Sequence, residues 1–503
     1  MLLKRGMTGE HQHRRQVIAL AIAAVCVEAI YWFLSTAGHV TERPHFYLTF
    51  LDDLAEGFRR GHLYMASAVP AELLRKANPF AGENHAYWYW DASLHAGHYY
   101  LYWGPVPALL LAVAKTVLRV HTIVYDEVVV FGLASLQLAA GTWIVGRAAR
   151  SFFDDPPISL QVMAVVVIGF ANPTPYNLGR GAVYEAAIVG GQAFLLLGIA
   201  CAAEALARPH RSRGYLIAAG SAWAFALGSR VSLAPAVALM VAATAWVQAG
   251  PGKGWGSRLR GWVRAALPAG LPLAAALFGL LLYNRLRFDA WLEFGRRYQL
   301  TWIAAPTSWR YLLPSLYSFL LRDPTLSCRF PFVFAIPDLG ARAFPAWWHL
   351  PDGYFVYEQV AGVLVASPWS WLVPAAVLAF ARDSRPGASW AVAIATLGAT
   401  AALLPAMTVA SATNRYLGDA VGGLSLLGAF AAFGLYHRLR GRTALRRAAL
   451  AGTLALGVLT AWSGLALGFL GQYAHFPSNN PALANKLVQK LSLCGGPPAP
   501  LPK

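Results

Sequence analysis

Long apolar runs recur along the chain and are separated by short polar segments. A helix must contain roughly 20 apolar residues to cross a hydrocarbon core about 30 Å thick, because lipid offers the backbone no hydrogen bonds. Twelve runs meet or approach this length, so we expect an all-α polytopic membrane protein, a bundle of about 11–12 spans. These runs cover residues 16–37, 104–120, 126–146, 157–172, 183–206, 214–228, 231–249, 265–283, 360–380, 388–411, 417–436 and 448–470.

Basic residues between these runs predict which loops face the cytoplasm. Cytoplasmic loops carry an excess of Lys and Arg, which places the N-terminus before the first span, and the clusters near residues 147, 208 and 438, in the cytoplasm. The long stretches 38–103 and 284–359 then lie outside. This arrangement needs an odd number of crossings between residues 104 and 146, where two runs stand. We therefore expect the shorter run, 104–120, to be re-entrant or interfacial.

Composition and cysteine spacing narrow the class of protein further. Of the 503 residues, 57% are apolar and 13% are charged, whereas a soluble domain carries about 25% charged residues. The net charge of +18 comes from short basic clusters between apolar runs, so no nucleic-acid partner is expected. Four cysteines without a C-x-x-C pair predict neither a zinc site nor a disulfide framework. We expect residues 1–480 to form one transmembrane domain and 481–503 an external tail.

Two parts of the first long loop carry candidate chemistry. Phe50, Leu54 and Phe58 recur every four residues and predict an amphipathic surface helix with Asp52 and Asp53 on its flanks. For each of these two acids, a position on a solvated helix face is as good an explanation as a functional role. Further on, eight of the seventeen residues from Tyr87 to Trp103 are Trp or Tyr. An interfacial belt explains part of this pattern, but a belt needs no Asp91 in its middle, so we favour contact with a ligand.

Arginines at the external helix ends form the second signal. They should be rare on this face, so an anionic group is expected among them, and guanidinium groups bind phosphate well. The alternative is ion pairing within the protein, for example Arg180 with Glu185 or Arg415 with Asp419. The arginines that map to this face are Arg180, Arg230, Arg285, Arg287, Arg296, Arg297 and Arg415.

Four motifs carry a resemblance to a known class of enzymes. They are the segments 91–108 (DASLHAGHYYLYWGPVPA), 178–185 (LGRGAVYE), 284–299 and 415–419 (RYLGD). Together with a cytoplasmic N-terminus, a long acidic external loop and ten or so further spans, they make residues 16–470 similar to the GT-C class of membrane glycosyltransferases. This class includes protein O-mannosyltransferases and the lipid A aminoarabinose transferase.

The resemblance implies an inverting transfer of a sugar from a polyprenyl-phosphate donor to a hydroxyl acceptor. The acceptor is a lipid, a glycan or a protein, and the reaction takes place at the external face of the bacterial inner membrane. The class places a catalytic acid early in the first external loop, where we prefer Asp53, then Asp52. Another register places the acid at Glu56 or near His45. The resemblance also leaves a divalent metal possible, because only some members need one.

The residues expected to contact the substrate come from the same motifs and helix ends. Glu185 also resembles the second acidic position of aminoarabinose-transferase-like members. Two other functions compete with transfer: a transporter or flippase for a lipid-linked or anionic solute, and a non-catalytic GT-C relative. Charges that gather at one face, away from the midplane, favour transfer over transport. The expected substrate-binding residues are Asp91, Tyr102, Trp103, Arg180, Glu185, Arg230, Glu293, Arg297, Arg415 and Asp419.

Overall fold

A computed structural model of the protein describes residues 2–41, 46–250, 254–302, 305–335, 344–345, 347–355, 358–375 and 386–494, with backbone alone for 2–9. Eight helices in these residues are long and apolar enough to cross a membrane. This confirms the predicted all-helical, multi-pass architecture. Position 45, part of the predicted span 360–380 and the end of the predicted tail lie outside the described residues.

Most helices follow the predicted runs, but the described part of the predicted span 360–380 holds a four-residue helix (Val363–Ala366) and a 3-10 turn (Pro368–Leu372) instead of one long helix. In chain order they are α1 (Leu2–Ser35), α2 (Phe50–Arg59), α3 (Ala71–Leu74), α4 (Val106–Val117), α5 (Asp126–Ser151), α6 (Ile158–Phe170), α7 (Thr174–Gly179), α8 (Val183–Ala207), α9 (Ser212–Ser229), α10 (Ala234–Ala249), α11 (Trp255–Phe288), α12 (Leu312–Leu321), α13 (Val363–Ala366), α14 (Pro386–Met407), α15 (Gly418–Arg438), α16 (Thr443–Leu470), α17 (His475–Asn479) and α18 (Pro481–Leu491). Short antiparallel pairs join β1 (Ser93–His95) to β2 (His98–Tyr100) and β3 (Thr325–Leu326) to β4 (Val333–Phe334).

Helix α4 occupies the shorter of the two apolar runs between residues 104 and 146. It has 12 residues and therefore rises only about 18 Å, less than the thickness of the hydrocarbon core. Its partner is the surface helix α2, which buries Leu51 and Leu54. The predicted amphipathic helix is thus present and rests on a helix that is too short to span the membrane.

Helix α8 sets the distance between the two polar ends of the bundle. It is buried along most of its length, and Glu185 and Glu204 stand near its ends, about 28 Å apart at 1.5 Å per residue. At one end Glu204 binds Arg147 at 2.5 Å and Arg208 at 3.2 Å. At the other end lie the groups of the site described below. The two sets of charges are therefore separated by about the thickness of the hydrocarbon core.

Backbone hydrogen bonds join the two long loops at this second end. The amide of Asp91 donates to the carbonyl of Leu300 at 3.0 Å, and the amide of Leu300 donates to the carbonyl of Ala92 at 2.9 Å. A bridge between Ser93 and Gln299 continues the ladder. Side chains that are about 200 positions apart in sequence are thereby placed together.

A disulfide ties the C-terminal segment to the second long loop. Cys328 and Cys494 are bonded, with their Cα atoms 5.6 Å apart, and the amide of Leu493 donates to the Cys328 carbonyl at 2.8 Å. The expectation that the cysteines form no disulfide is therefore wrong. A separation of 166 positions leaves no spacing signal in the sequence, because the fold alone brings the two thiols together. Nearby, Asn480 donates to the carbonyl of Ala37 at 2.9 Å, so α18 closes onto the end of α1.

Candidate functional site

A cavity of about 630 Å³ lies where the long loops meet the helix ends. Its walls come from the first loop, the start of α8, the turn after α9, the second loop, the end of α14 and the turn before α15. The cavity is therefore assembled from most of the chain. The lining residues include Trp90, Asp91, Tyr102, Trp103, Arg180, Tyr184, Arg230, Arg287, Glu293, Arg296, Gln299, Trp302, Glu358, Arg415, Tyr416 and Tyr473.

Two of the arginines are held by carboxylates. Arg230 binds Asp419 at 2.7 Å, and Asp419 is fully buried. Arg415 binds Glu358 at 2.6 Å and approaches Glu185 at 3.5 Å. Ion pairing within the protein is therefore real, but the partners differ from the predicted ones: Glu185 approaches Arg415 instead of Arg180, and Asp419 binds Arg230 instead of Arg415.

Arg180 is the least neutralised of these cations. Within the described ranges no carboxylate lies within ion-pair distance of its guanidinium group. Instead, Gln472 Oε1 accepts a hydrogen bond from Arg180 at 3.2 Å and another from Arg415 at 3.3 Å. The ring of Tyr473 lies 5.2 Å below the Arg180 guanidinium. A neutral acceptor thus holds two guanidinium groups beside each other, and the positive charge of Arg180 faces the cavity without a carboxylate at ion-pair distance among the described residues.

Asp91 is a carboxylate of the cavity with no cation bound to it among the described residues. Its Oδ1 accepts from Tyr184 Oη at 3.0 Å and from Gln299 Nε2 at 3.2 Å, which leaves Oδ2 for a ligand. Burial raises the pKa of Asp91 above its ordinary 3.8, against the hydrogen bond from Tyr184 and the charges of Arg415 and Arg180, which lower it.

Aromatic rings connect Asp91 to the arginines. The ring of Tyr184 lies 4.3 Å from the guanidinium carbon of Arg415, and its hydroxyl bonds Asp91. Trp103 packs edge-on against Tyr184 at 4.3 Å and contacts Tyr102 at 4.0 Å. Such cation–π and edge-to-face contacts fix the orientation of both the cation and the ring.

The acids of helix α2 lie away from this cavity. Lys115 Nζ binds Asp52 at 2.6 Å and Glu56 at 2.8 Å, and Arg59 binds Glu56 at 2.7 Å. Asp53 Oδ1 accepts from the amide of Ser67 at 2.9 Å, and burial raises the pKa of Asp53. None of the three acids is among the described cavity-lining residues. Catalytic roles for Asp53, Asp52 and Glu56 stay predictions from the sequence.

The remaining predicted residues divide into two groups. Asp91, Tyr102, Trp103, Arg180, Arg230, Glu293 and Arg415 line the cavity. Glu185 and Asp419 stand behind the arginines that they bind. The Arg297 guanidinium lies over the ring of Tyr298 at 5.0 Å and is not part of the described lining.

Sequence reasoning missed several residues of the site. Tyr184 and Gln299 lie inside the quoted motifs and could have been chosen from them. Glu358 and Gln472 had no local signal, because each stands in a loop remote from the arginine that it contacts. No group of three or more His, Cys, Asp or Glu side chains suited to a metal occurs among the described residues, and we derive no chemical step through a metal.

Comparisons with known proteins give neighbours only among solved structures. No family model and no curated protein matches the sequence. The apo oligosaccharyltransferase of Archaeoglobus fulgidus is similar over 90% of this chain at 12% identity, with a TM-score of 0.48. The match covers 55% of that enzyme, so the chain spans about half its length. Apo ArnT from Cupriavidus metallidurans is similar over 94% of this chain and 80% of its own, at 15% identity and a TM-score of 0.47. ArnT bound to undecaprenyl phosphate is similar over 93% and 79% of the two chains, at 13% identity and a TM-score of 0.44.

Proposed function

We propose that the protein is a membrane glycosyltransferase that moves a sugar from a polyprenyl-phosphate donor to a hydroxyl acceptor at the external face of the bacterial inner membrane. One observation carries this proposal. Arg180, Arg230 and Arg415, from three separate helix ends, line the same cavity as Asp91. Phosphate recognition and a carboxylate that accepts a proton are the two requirements of such a transfer.

The arginines act on the leaving group. As the bond between the anomeric carbon and the phosphate oxygen breaks, its electron pair passes to the phosphate. Arg180 and Arg415, held side by side by Gln472, stabilise the charge that develops there. Fixed positive groups in a partly buried site stabilise a developing anion without reorganisation.

Asp91 acts on the acceptor. Its carboxylate takes the proton from the acceptor hydroxyl while the oxygen forms a bond to the anomeric carbon. A single displacement of this kind inverts the configuration of that carbon. The sequence favours Asp53 for this role, but Asp91 lines the cavity and has no cation bound to it among the described residues, and its raised pKa suits a general base.

The test begins with lipid extracts of cells with and without the gene. The accumulated prenyl-linked sugar then serves as the donor in membranes that carry each variant. We expect Asp91→Asn to lower transfer by about 100-fold or more, in the range for loss of a general base. Asp289→Asn is the matched control, because Asp289 is 89% exposed and pairs with Arg285 on the surface.

Three other results of these assays would each point to a different conclusion. Loss of transfer in Asp53→Asn with full activity in Asp91→Asn would assign the base to the acid preferred from the sequence. Movement of the donor across the membrane without a new glycosidic bond would support a flippase. Full transfer in both variants would remove both carboxylates from the mechanism.

A further inference from the structure

Three tryptophans form a cluster at the edge of the cavity. Trp88, Trp90 and Trp302 have ring centroids 5.2 to 5.7 Å apart, and His85 lies 5.1 Å from Trp302. Trp88 is 7% exposed and donates its indole N–H to the carbonyl of Pro79. It therefore forms the buried base of the cluster.

The other two indoles present surface to the cavity. Trp90 is 37% exposed and Trp302 is 58% exposed, and both line the cavity. Their planes meet at 47°, so they form an open wedge. Gly82 lies directly against Trp302, where a Cβ atom would stand 2.6 Å from the ring. The backbone is thus shaped to hold this indole in place.

The wedge has a fixed position relative to the reacting groups. Trp90 precedes Asp91, Asp91 binds the hydroxyl of Tyr184, and the Tyr184 ring stacks under Arg415. The contacts therefore run from the carboxylate through the phenol to the guanidinium group, and Trp90, the sequence neighbour of Asp91, lines the same cavity. A group resting on the wedge lies on the carboxylate side of the cavity, away from the arginines that suit a phosphate.

We propose that this wedge is an acceptor subsite for a carbohydrate, which refines the proposed function and rests on it. A pyranose ring has an apolar face of C–H bonds and a rim of hydroxyls. Trp90 and Trp302 match the face, while Glu293, Gln299 and Thr301 in the same lining match the rim. Aromatic surface with a few placed polar groups is the usual composition of a small-molecule site. A sugar stacked on Trp90 brings a hydroxyl towards Asp91.

The test measures saccharide binding independently of turnover. The full chain in lipid nanodiscs is mixed with methyl α-D-mannopyranoside, methyl β-D-glucopyranoside or methyl β-D-galactopyranoside, and saturation-transfer NMR detects bound ring protons. We expect at least one glycoside to bind. Trp90→Ala and Trp302→Ala should each weaken binding by about 5-fold, as for a stacking contact of about 1 kcal/mol.

Control variants separate stacking from folding. Trp302→Phe keeps an aromatic face and should retain most of the binding. Trp309→Ala should have no effect, because Trp309 is 69% exposed in the same loop but is not among the described lining residues. Geranyl phosphate, a probe of the arginine end, should leave the glycoside signal unchanged.

Several outcomes would overturn the subsite. The first is that no glycoside binds, and the second is that a Trp90→Ala/Trp302→Ala double variant binds as well as the wild type. The third is that geranyl phosphate displaces the glycoside. The fourth is that a Ser/Thr peptide binds instead, in a manner that depends on Trp90. Glycoside binding that depends on Trp90 in a protein without transfer activity would support the subsite and remove the proposed enzyme function. The two failures are therefore distinguishable.

Discussion

Gln299 Nε2 lies 3.2 Å from Asp91 Oδ1, so the second long loop orients the carboxylate that the first loop supplies. The backbone ladder between Asp91 and Leu300 makes this contact a consequence of how the loops pair. The two loops therefore act as one unit at the cavity, and a substitution in either loop should alter the position of the Asp91 carboxylate.

The pH dependence of transfer tests the role of Asp91. A base works only when deprotonated, so its raised pKa places the acid limb of kcat/KM above the ordinary aspartate value of 3.8. The hydrogen bond from Tyr184 lowers this pKa, so Tyr184→Phe should move the limb to higher pH. Asp289→Asn should keep the wild-type profile. An unchanged limb in Tyr184→Phe would contradict this assignment.

Substitutions of Gln472 test how Arg180 and Arg415 are held beside each other. Gly471, Tyr473 and Ala474 all have positive φ, between 52° and 60°, and such strained backbone persists where surrounding structure requires it. Gln472→Glu should place a negative charge between the two guanidinium groups and weaken geranyl phosphate binding by about 10- to 100-fold, equivalent to about 1.4–2.7 kcal/mol.

Gln472→Leu serves as the comparison for that variant. It removes the acceptor without adding charge, so its effect on geranyl phosphate binding should be smaller. Calorimetry on the protein in nanodiscs measures both. Equal binding by the wild type and by Gln472→Glu would show that phosphate does not occupy this position.

Lys115 tests whether the acids of α2 are structural. Lys115 and Asp52 are both buried and bind each other. Lys115→Met leaves an unpaired buried carboxylate and should cost about 3–5 kcal/mol, seen as a lower unfolding temperature in detergent. Lys76→Met, at an exposed position, is the control. If Asp52→Asn unfolded at the wild-type temperature but lost transfer, Asp52 would have a catalytic role after all.

The disulfide tests which way the cavity faces. Disulfides persist in oxidising compartments, so Cys328 and Cys494 should lie outside the cytoplasm, as the positive-inside rule predicts for both segments. In intact cells, a membrane-impermeant maleimide should label both thiols, but only after reduction. Cys201, near the Glu204 end of α8, should stay unlabelled. Labelling of Cys328 that requires permeabilised cells would reverse the orientation.

Much of the fold follows from patterns that are local in sequence. Apolar run length predicted the long helices, and the spacing of Phe50, Leu54 and Phe58 predicted α2. The partners in the ion pairs could not be predicted from such local patterns. Arg415 stands in a short 3-10 turn before α15, and it pairs with Glu358 and Glu185 instead of with Asp419 on the first turn of that helix. Nearness in sequence therefore suggested the wrong partner.

The choice of a candidate catalytic acid shows the same limit of local patterns. The pattern predicted Asp52 on a flank of α2, off the apolar face, but Asp52 is buried and meets Lys115, a single basic residue inside an apolar run. Its ability to bind Asp52 depends on how α2 and α4 pack, which no periodicity records. Asp91 could be recognised as unusual from its aromatic neighbours. That no cation among the described residues binds it became visible only with the loops assembled.

The walls of the cavity extend from Trp90 to Tyr473 along the chain. During synthesis, Asp91 emerges hundreds of residues before Gln472 can bridge the arginines. A chain interrupted before residue 473 lacks part of the cavity wall, so the cavity cannot be complete until that segment has been made. The covalent tie between Cys328 and Cys494 can form only after residue 494 has been made, so every wall of the cavity is available before that bond is.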